Sequence, residues 1–416
     1  MLPVHIQNVE KTRMPRRDSI VFEGGERYAT LVTDDGVPDF WVTLFVTVQL
    51  RASHTQNAIL SILQDIAHFK IWEKINNRDV LSEFRDGQFL SRSDAISVRD
   101  HCGFETRSMQ KWLDASTQKK VVTLNPARSK RGPPLRRVSK AHQANRIVHV
   151  AQYLDFSAHA LLRNRTNFAE LKNPIEEMKR ALVAQKPKVS GKGAITDPDL
   201  KAPAPEVFEK LMAVVGEDSD DNPYKNKTVQ FRNALMFEVI YHTGLRAGEL
   251  LSLRVEDISF SEDRSAIHVR RRHDDVVDPR VHQPVAKTLE RTIPIPTQLA
   301  MRLREYILEV RSRIPGATRH PFVFVTHHSA KSHQGKPISD STFRNRILAP
   351  AVKKNPDLFD EITRHGFRHN FNYRLSKKID KRNEQAKTDQ EVKPISEKEE
   401  IQIRKQLNGW DCEALG

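Results

Sequence analysis

A short stretch near the middle of the chain divides it into two parts. Residues 185–205, QKPKVSGKGAITDPDLKAPAP, are rich in proline, glycine and lysine and contain few large apolar side chains. This composition cannot build a hydrophobic core and is typical of a linker. The chain has 416 residues, which is enough for two or three domains. We therefore predict a separate domain on each side of the linker.

The part before the linker has the periodicity of helices. Apolar residues recur at helical spacing from Thr55 to Asn76, with Ser53 or Thr55 available as the N-cap. A second helix begins near Ser139 and carries one apolar face, formed by Ile147, Ala151, Leu154, Ala158 and Leu161. We predict an all-α domain over residues 51–184, preceded by an appended segment, residues 1–50.

The part after the linker, residues 206–416, mixes helical and strand-like patterns. Helices are predicted at about 206–215 and 228–242, and helical sequence resumes from Ser341. Strands are predicted at Ala266–Arg271, Arg291–Pro296 and Phe322–Thr326. The charge-dense stretch Lys377–Glu400 is expected to form an exposed insertion. This half of the chain is therefore predicted to be a mixed α+β domain.

Composition excludes several classes of protein. The longest apolar stretch, Phe40 to Leu50, has 11 residues, far short of the ~20 that span a bilayer. The N-terminus lacks the apolar core of a signal peptide. The two cysteines, Cys102 and Cys412, cannot form a disulfide framework or a cysteine-based zinc site, and they fit a reducing compartment. We expect a cytoplasmic protein without membrane association.

The charge balance indicates a polyanionic partner. Lysine and arginine number 68 against 53 acidic residues, for a net charge of +15, and nucleic acid is a common partner of such a surface. A soluble enzyme that is merely basic is the alternative. One segment contains six basic residues and no acid, and it either follows a phosphate backbone or forms a solvated loop: Arg128, Lys130, Arg131, Arg136, Arg137 and Lys140.

An arginine follows the end of the most apolar helix. In the segment YHTGLRAGELLSL, residues 241–253, Gly244 is suited to a left-handed helix C-cap, and a short helix follows directly. Arg246 then lies at a helix junction, where its guanidinium can bind a phosphate through two hydrogen bonds. Glu249, one turn later, can orient it. A purely structural Arg–Glu pair is the other explanation.

A second arginine occurs late in the chain beside a histidine. In HGFRHNF, residues 365–371, His365 and Arg368 are three residues apart and share one helix face. They combine a proton-transfer group with a fixed cation. His365 and His369 have the spacing of a zinc helix, but the general-base glutamate is lacking and Arg368 would repel the metal. We therefore predict no metal site.

Together the two motifs resemble those of the tyrosine recombinases, the phage-integrase-type site-specific DNA recombinases. The match consists of Thr-Gly-Leu-Arg-x-x-Glu-Leu followed by His-x-x-Arg, and it covers roughly residues 200–410. The resemblance implies a helical core-binding domain before the catalytic domain. It also implies that Arg246 and Arg368 clamp the scissile phosphate, with His365 assisting proton transfer. Lys287, in VAKTLERTIPI, would protonate the leaving oxygen, and Trp410, after Leu-Asn-Gly, would donate to the phosphate.

The resemblance further implies a tyrosine that attacks the phosphate and forms a covalent phosphotyrosine, without metal or other cofactor. Its expected place is about nine residues after Trp410, just beyond Gly416. The six tyrosines of the chain lie elsewhere: Tyr28, Tyr153, Tyr224, Tyr241, Tyr306 and Tyr373. The chain is therefore expected to be cut short, to receive a tyrosine from a neighbouring subunit, or to bind DNA without cutting it.

The function implied by the resemblance is strand exchange on double-stranded DNA by a homo-tetramer on paired sites, in the bacterial or phage nucleoid. Two rivals stay open. One is a non-catalytic DNA-binding relative that keeps the phosphate clamp. The other is a type IB topoisomerase-like nicking enzyme, which shares the chemistry but needs no second DNA site.

Overall fold

The computed structural model describes residues 15–117, 134–188, 203–262, 264–328 and 333–409. The chain divides into two compact units, one comprising Met1–Val21 and Arg27–Gly191, the other Phe22–Glu26 and Lys192–Gly416. Residues 189–202, most of the predicted linker, lie outside the described residues. Among the helices of the described residues, no segment is both long and apolar enough to cross a bilayer.

The first unit combines a β-hairpin with helices. Strands β1 (Arg16–Val21) and β2 (Arg27–Val32) pair antiparallel. The helices are α1 (Phe40–Phe45), continued by a π-helical turn at Val46–Leu50, α2 (Gln56–Ile75), α3 (Val80–Arg85), α4 (Arg92–Cys102), α5 (Thr106–Thr117), α6 (Lys140–Leu162) and α7 (Phe168–Ala184).

The two helices predicted for this unit are confirmed. The hydroxyl of Thr55 accepts from the N–H of Ala58 at the start of α2, and Ser139 caps α6 through the N–H of His142. Each cap satisfies a backbone donor that a helix start leaves without an intrahelical partner. The apolar faces of the two helices, with Ile66 and Leu154 among their members, are buried in one core.

The prediction of an all-α N-terminal domain is not confirmed. Ala29 and Leu31 of β2 are buried in the same hydrophobic cluster as α2 and α6. Val42 and Phe45 of α1 join that cluster. The alternation of β2 between faces is weak, because nearly all of its side chains are at least partly buried. A strand covered on both sides lacks the polar–apolar alternation by which sequence reasoning detects strands.

The second unit is mixed α+β, as predicted. Its antiparallel sheet has the order β3-β4-β5, with β3 (Ile258–Ser259), β4 (Ala266–Val269) and β5 (Arg291–Pro294). The helices are α8 (Pro205–Val215), α9 (Lys227–Thr243), α10 (Ala247–Ser252), α11 (Thr297–Glu305), α12 (Asp340–Thr342), α13 (Ala349–Lys353), α14 (Pro356–Phe359), α15 (Gly366–Thr388) and α16 (Glu397–Asn408).

The strand predicted at Phe322–Thr326 is wrong. Phe322 and Val325 form only isolated bridges, to Arg254 and Pro337. Pro337 has no N–H to donate, which prevents that pairing from extending into a ladder. The stretch Lys377–Glu400, expected to form an exposed insertion, is mostly exposed. Its charges lie on two helices, because α15 continues to Thr388 and α16 begins at Glu397.

Candidate active site

The junction between α9 and α10 places Arg246. Gly244 ends α9 with φ of +63°, and a Cβ at this position would lie 2.6 Å from the ring of Phe371. Glycine is required here for its left-handed conformation and for the close approach of α15. Arg246 is the N-cap residue of α10, and its backbone N–H donates to Glu249 Oε2 at 2.9 Å.

The guanidinium of Arg246 has an N–H donor that makes no hydrogen bond within the described residues. Its Nη1 is 3.9 Å from Glu249 Oε1, beyond hydrogen-bond length, and this buried atom has no hydrogen-bond partner among the described residues. Burial lowers the pKa of Arg246, the nearby Arg291 lowers it further, and Glu249 partly offsets both. A partly buried cation with an unused donor is suited to bind an anion.

Arg368 lies on the first turn of α15 and is buried. Its Nη1 donates to the carbonyl oxygen of Gly244 at 3.1 Å, and its Nη2 donates to that of Asn408 at 2.6 Å. Burial, together with the charge of Arg246, lowers the pKa of Arg368 to about 10. The residue therefore remains a cation at neutral pH, held in place by two backbone carbonyls.

His365 immediately precedes α15. Its ring packs edge-on against His369, with 4.5 Å between the ring centroids. Desolvation lowers the pKa of His365, and the charges of Arg246 and Arg368 lower it further. The fold thus brings Arg246, His365 and Arg368 together. A neutral imidazole between two cations can accept or relay a proton at neutral pH.

The structure gives Glu249 a partner that the motif does not predict. Arg291, the first residue of β5, donates from Nη2 to Glu249 Oε2 at 2.9 Å and from Nη1 to Oε1 at 3.1 Å. Burial would raise the pKa of Glu249, but the bonds and charge of Arg291 bring it below its usual value. Arg291 shares its strand face with the buried Ile293. The sequence could have indicated this partner, because Arg291 is a charged residue at a strand position whose side chain points to the same face as the inward apolar residues.

Lys287 lies in the connection between β4 and β5 with its side chain exposed. The next residue, Thr288, donates its hydroxyl proton to Glu249 Oε1. A Cβ at Gly248 would lie 2.8 Å from the carbonyl oxygen of Val285, so the same segment passes directly over α10. The backbone beside Lys287 is therefore attached to the site, while its side chain extends from the surface.

Trp410 lies outside the described residues, but the residue before it does not. Gly409 ends α16 with φ of +63°, and its carbonyl oxygen accepts from the N–H of Leu289 at 3.2 Å. Arg291 Nε donates to the carbonyl oxygen of Leu407 at 2.9 Å. The end of α16 is therefore docked against the segment that contains Lys287.

The basic segment belongs to the first unit. Arg128, Lys130 and Arg131 lie outside the described residues, whereas Arg136, Arg137 and Lys140 are exposed. The backbone of Arg136 is anchored on α5, with its N–H donating to Ser108 Oγ at 3.1 Å. The guanidinium of Arg137 lies 5.2 Å from the ring centroid of Phe104. The backbone here is hydrogen-bonded to α5, and the three cationic side chains are exposed, with that of Arg137 lying against Phe104.

Three of the six tyrosines are poor nucleophiles, because Tyr153, Tyr224 and Tyr306 are buried. Burial raises the pKa of each, that of Tyr306 to about 12, and so disfavours the reactive phenolate. Tyr373, on α15, has Lys377 Nζ 5.3 Å from its ring centroid. In the part of the chain that the structure describes, no cluster of three or more histidine, cysteine, aspartate or glutamate residues could hold a metal ion.

The model of the phage integrase family matches residues 205–383, which contain Arg246, Lys287, His365 and Arg368. The second unit of the chain is a tyrosine recombinase domain. Its relatives include the tyrosine recombinase XerD of Halalkalibacterium halodurans, 26% identical over 180 residues, or 42% of this chain and 52% of the relative. XerD of Staphylococcus aureus is 26% identical over 184 residues, 43% of this chain and 54% of its own.

The chain thus spans about half the length of the curated relatives that it matches. Among solved structures, the XerH site-specific recombinase bound to its palindromic difH substrate aligns with 90% of this chain and 89% of its own, at 14% identity and a TM-score of 0.41. A structural alignment with so low a TM-score carries no argument about function. The assignment of the recombinase domain rests on the family model and the XerD relatives.

Proposed function

We propose that this protein cleaves and rejoins DNA strands at specific sites, with Arg246 and Arg368 binding the scissile phosphate. The observation that carries the proposal is the convergence of the buried Arg368, the partly buried Arg246 and one imidazole, with Arg246 Nη1 unpartnered among the described residues. Such a group of cations is costly to bury unless an anion completes it. A phosphodiester has the required charge and acceptor geometry.

The geometry suits phosphoryl transfer in three ways. Arg368 uses two of its N–H groups on the carbonyls of Gly244 and Asn408, which fix the plane of the guanidinium while its other donors can reach phosphate oxygens. Arg246 supplies a second cation, and together the two stabilise the negative charge that develops as the phosphorus becomes five-coordinate. His365, with its lowered pKa, relays a proton.

The remaining roles follow from the family. Lys287 protonates the leaving 5′-oxygen, Trp410 donates to the phosphate, and a tyrosine forms the covalent phosphotyrosine without a metal or cofactor. The substrate is double-stranded DNA, bound by a homo-tetramer on paired sites. Arg136, Arg137 and Lys140 add phosphate contacts from the first unit, which raise affinity without specifying sequence.

The experiment begins by selecting bound sequences from a library of random duplexes. A selected duplex, nicked beside the cleavage position, is then incubated with the full chain and tested for an adduct that survives denaturation in SDS. Because none of the six tyrosines of the chain has the expected place, we expect an adduct only where a further tyrosine is supplied to the site, and with Arg246→Ala neither an adduct nor a large loss of affinity. A wild-type chain that binds the selected duplex tightly yet forms no adduct even with that tyrosine supplied would favour the relative that binds without cutting.

A further inference from the structure

Arg291 lies where three elements of the recombinase domain meet. It begins β5, it binds Glu249 of α10 through two hydrogen bonds, and its Nε donates to the carbonyl of Leu407 at the end of α16. Its Nη1 also donates to Thr288 Oγ1 at 2.7 Å. The side chain is only 3% exposed, and its hydrogen bonds go to acceptors of the protein itself.

The pairing between Arg291 and Glu249 leaves Arg246 available. Glu249 Oε1 lies 3.9 Å from Arg246 Nη1, close enough for the two charges to attract and too far for a hydrogen bond. The same oxygen already accepts from Arg291 and from the Thr288 hydroxyl. Without Arg291, the uncompensated carboxylate would bind the guanidinium of Arg246 and compete with a phosphate for it.

Arg291 also fixes the surroundings of the second arginine. The carbonyl of Leu407, which accepts from Arg291, is adjacent to that of Asn408, which accepts from Arg368. A Cβ at Gly409 would lie 3.0 Å from Arg291 Nη1 and 2.9 Å from the carbonyl oxygen of Leu289. The end of α16 therefore packs tightly against Arg291, and its position sets that of one Arg368 anchor.

We propose that Arg291 is a positioning residue of the phosphate clamp, which occupies Glu249 so that Arg246 stays free for phosphate and which holds the end of α16 beneath Arg368. This inference rests on the proposed function for its catalytic consequence. Its structural content, the attachment of α10 and α16 to one buried guanidinium, can be tested without cleavage.

The catalytic test compares Arg291→Met with the double variant Arg291→Met/Glu249→Gln. Arg291→Met should slow adduct formation about 10-fold to 100-fold, the effect of slight misplacement of catalytic groups, with little change in affinity for the selected duplex. Replacing Glu249 by glutamine removes the charge that captures Arg246, so the double variant should recover several-fold of the loss. A double variant as slow as the single one, or slower, would overturn the proposal, because rescue of a merely structural pair restores stability and not the rate of adduct formation by the folded protein.

Arg311→Met is the matched control. Arg311 is also buried in the second unit and donates only to backbone carbonyls, those of Phe322, Ala317 and His320. Its loss removes a buried arginine of comparable bonding but leaves Glu249 neutralised. The control should lower stability without changing the ratio of cleavage to binding. A control that slows cleavage as much as Arg291→Met does would also count against a specific role.

Hydrogen exchange of the full chain separates the positioning role from the proposed function. Arg291→Met should accelerate exchange of the amides at 246–250 and 404–409 about tenfold, the effect of losing one charged hydrogen bond, and Arg311→Met should not. If exchange changes in this way but the wild type never forms an adduct, the proposed cleavage is rejected and the positioning role of Arg291 is retained. Unchanged exchange in both segments would reject the role of Arg291.

Arg291→Lys decides the case if the methionine variant does not fold. A lysine at this position retains a positive charge for Glu249 but lacks the Nε–H that donates to the carbonyl of Leu407. Exchange should then accelerate in 404–409 and stay near wild type in 246–250. Equal acceleration of both segments, or of neither, would contradict the separate roles proposed for the Nη groups, which bind Glu249, and for Nε, which binds Leu407.

Discussion

Each unit of the protein contains a buried arginine–carboxylate pair, and the two pairs differ in what surrounds them. In the first unit Arg146 donates from Nε to Asp65 Oδ1 at 3.1 Å. In the second, Arg291 pairs with Glu249 through two bonds. All four side chains are at most 4% exposed. Burial and pairing alone therefore do not distinguish a structural network from a candidate active site.

The network in the first unit is closed. Arg146 directs its other donors to the carbonyls of Cys102 and Phe104 and to the hydroxyl of Thr106. The second oxygen of Asp65 accepts from His149 Nδ1 at 2.8 Å. One arginine faces one carboxylate, and the donors of the guanidinium find acceptors within the fold, so the network leaves no charge for a ligand.

The network in the second unit is open. Arg246, Arg291 and Arg368 influence one another and share the single carboxylate of Glu249. Three cations against one anion leave an excess of positive charge, and Arg246 Nη1 is an unused donor among the described residues. The comparison teaches that an unbalanced buried charge network, rather than a buried pair, indicates a site for an anion.

The largest expected effect is on cleavage, from the open network. Arg246→Ala should reduce adduct formation by about 10³-fold or more, as loss of one preorganised donor does. Its free energy of unfolding should barely change, because the guanidinium has an unused donor and no hydrogen bond to lose within the site. The measurements are adduct formation and urea unfolding of the same preparation. Equal loss of DNA binding and cleavage would show that Arg246 has only a structural role.

The closed network should respond in the opposite way. Arg146→Met leaves Asp65 without its guanidinium partner and orphans two carbonyls, which should cost about 3 kcal/mol in the free energy of unfolding. The double variant Arg146→Met/Asp65→Asn should be less destabilised, since no uncompensated charge remains. Urea unfolding monitors both variants. A decrease of less than about 1 kcal/mol in the free energy of unfolding of the single variant would contradict the structural role of the network in the first unit.

The pH dependence of stability provides a third test, on the histidines beside Arg146. His68 and His101 are buried, and each donates from Nε2 to the backbone carbonyl of the other, at 3.0 and 2.9 Å. Burial lowers the pKa of both, that of His101 to about 4, with Arg146 opposing their protonation. Between about pH 4 and pH 6.5, the unfolded chain therefore binds more protons at these histidines than the folded chain does. The free energy of unfolding consequently decreases as the pH falls from about 6.5 towards 4.

The expected size of this effect is about 2 kcal/mol for His101 between pH 7 and pH 5. Urea unfolding at these two pH values should show a smaller acid loss for His101→Gln, whose amide can still donate to the carbonyl of His68 but does not titrate. Identical acid losses in the wild type and in the variant would mean that His101 does not couple folding to pH.

The smallest effect is expected from the exposed cations of the first unit. Arg136→Ala/Arg137→Ala should weaken DNA binding only a few-fold, and it should lower the slope of log affinity against log salt by about 2 if both contact phosphates. Cleavage of bound DNA should not change. Fluorescence anisotropy across a salt series measures the slope, and a slope equal to that of the wild type would identify the two arginines as solvated side chains.

Much of the fold can be read from local pattern. The caps at Thr55 and Ser139, the left-handed Gly244 and the short helix after it are governed by residues close in sequence. The strand at Phe322–Thr326 was predicted wrongly because the pairing of Phe322 depends on Arg254, which is distant in sequence, and that of Val325 on Pro337, which has no N–H to donate. The hairpin at residues 16–32 was missed because neither strand alternates: β1 is mostly exposed, and β2 is buried on both faces.

The sequence by itself determined the candidate site residues of this protein: the order and spacing of Arg246, His365 and Arg368, the basic charge and the helix junction that places the first arginine. Spacing reveals such features because they depend on neighbouring residues. Only the tertiary structure decided that Glu249 is hydrogen-bonded to Arg291, and that a backbone carbonyl at the end of α16 accepts from Arg368. Those contacts join residues about 40 positions apart, and packing rather than local propensity brings them together.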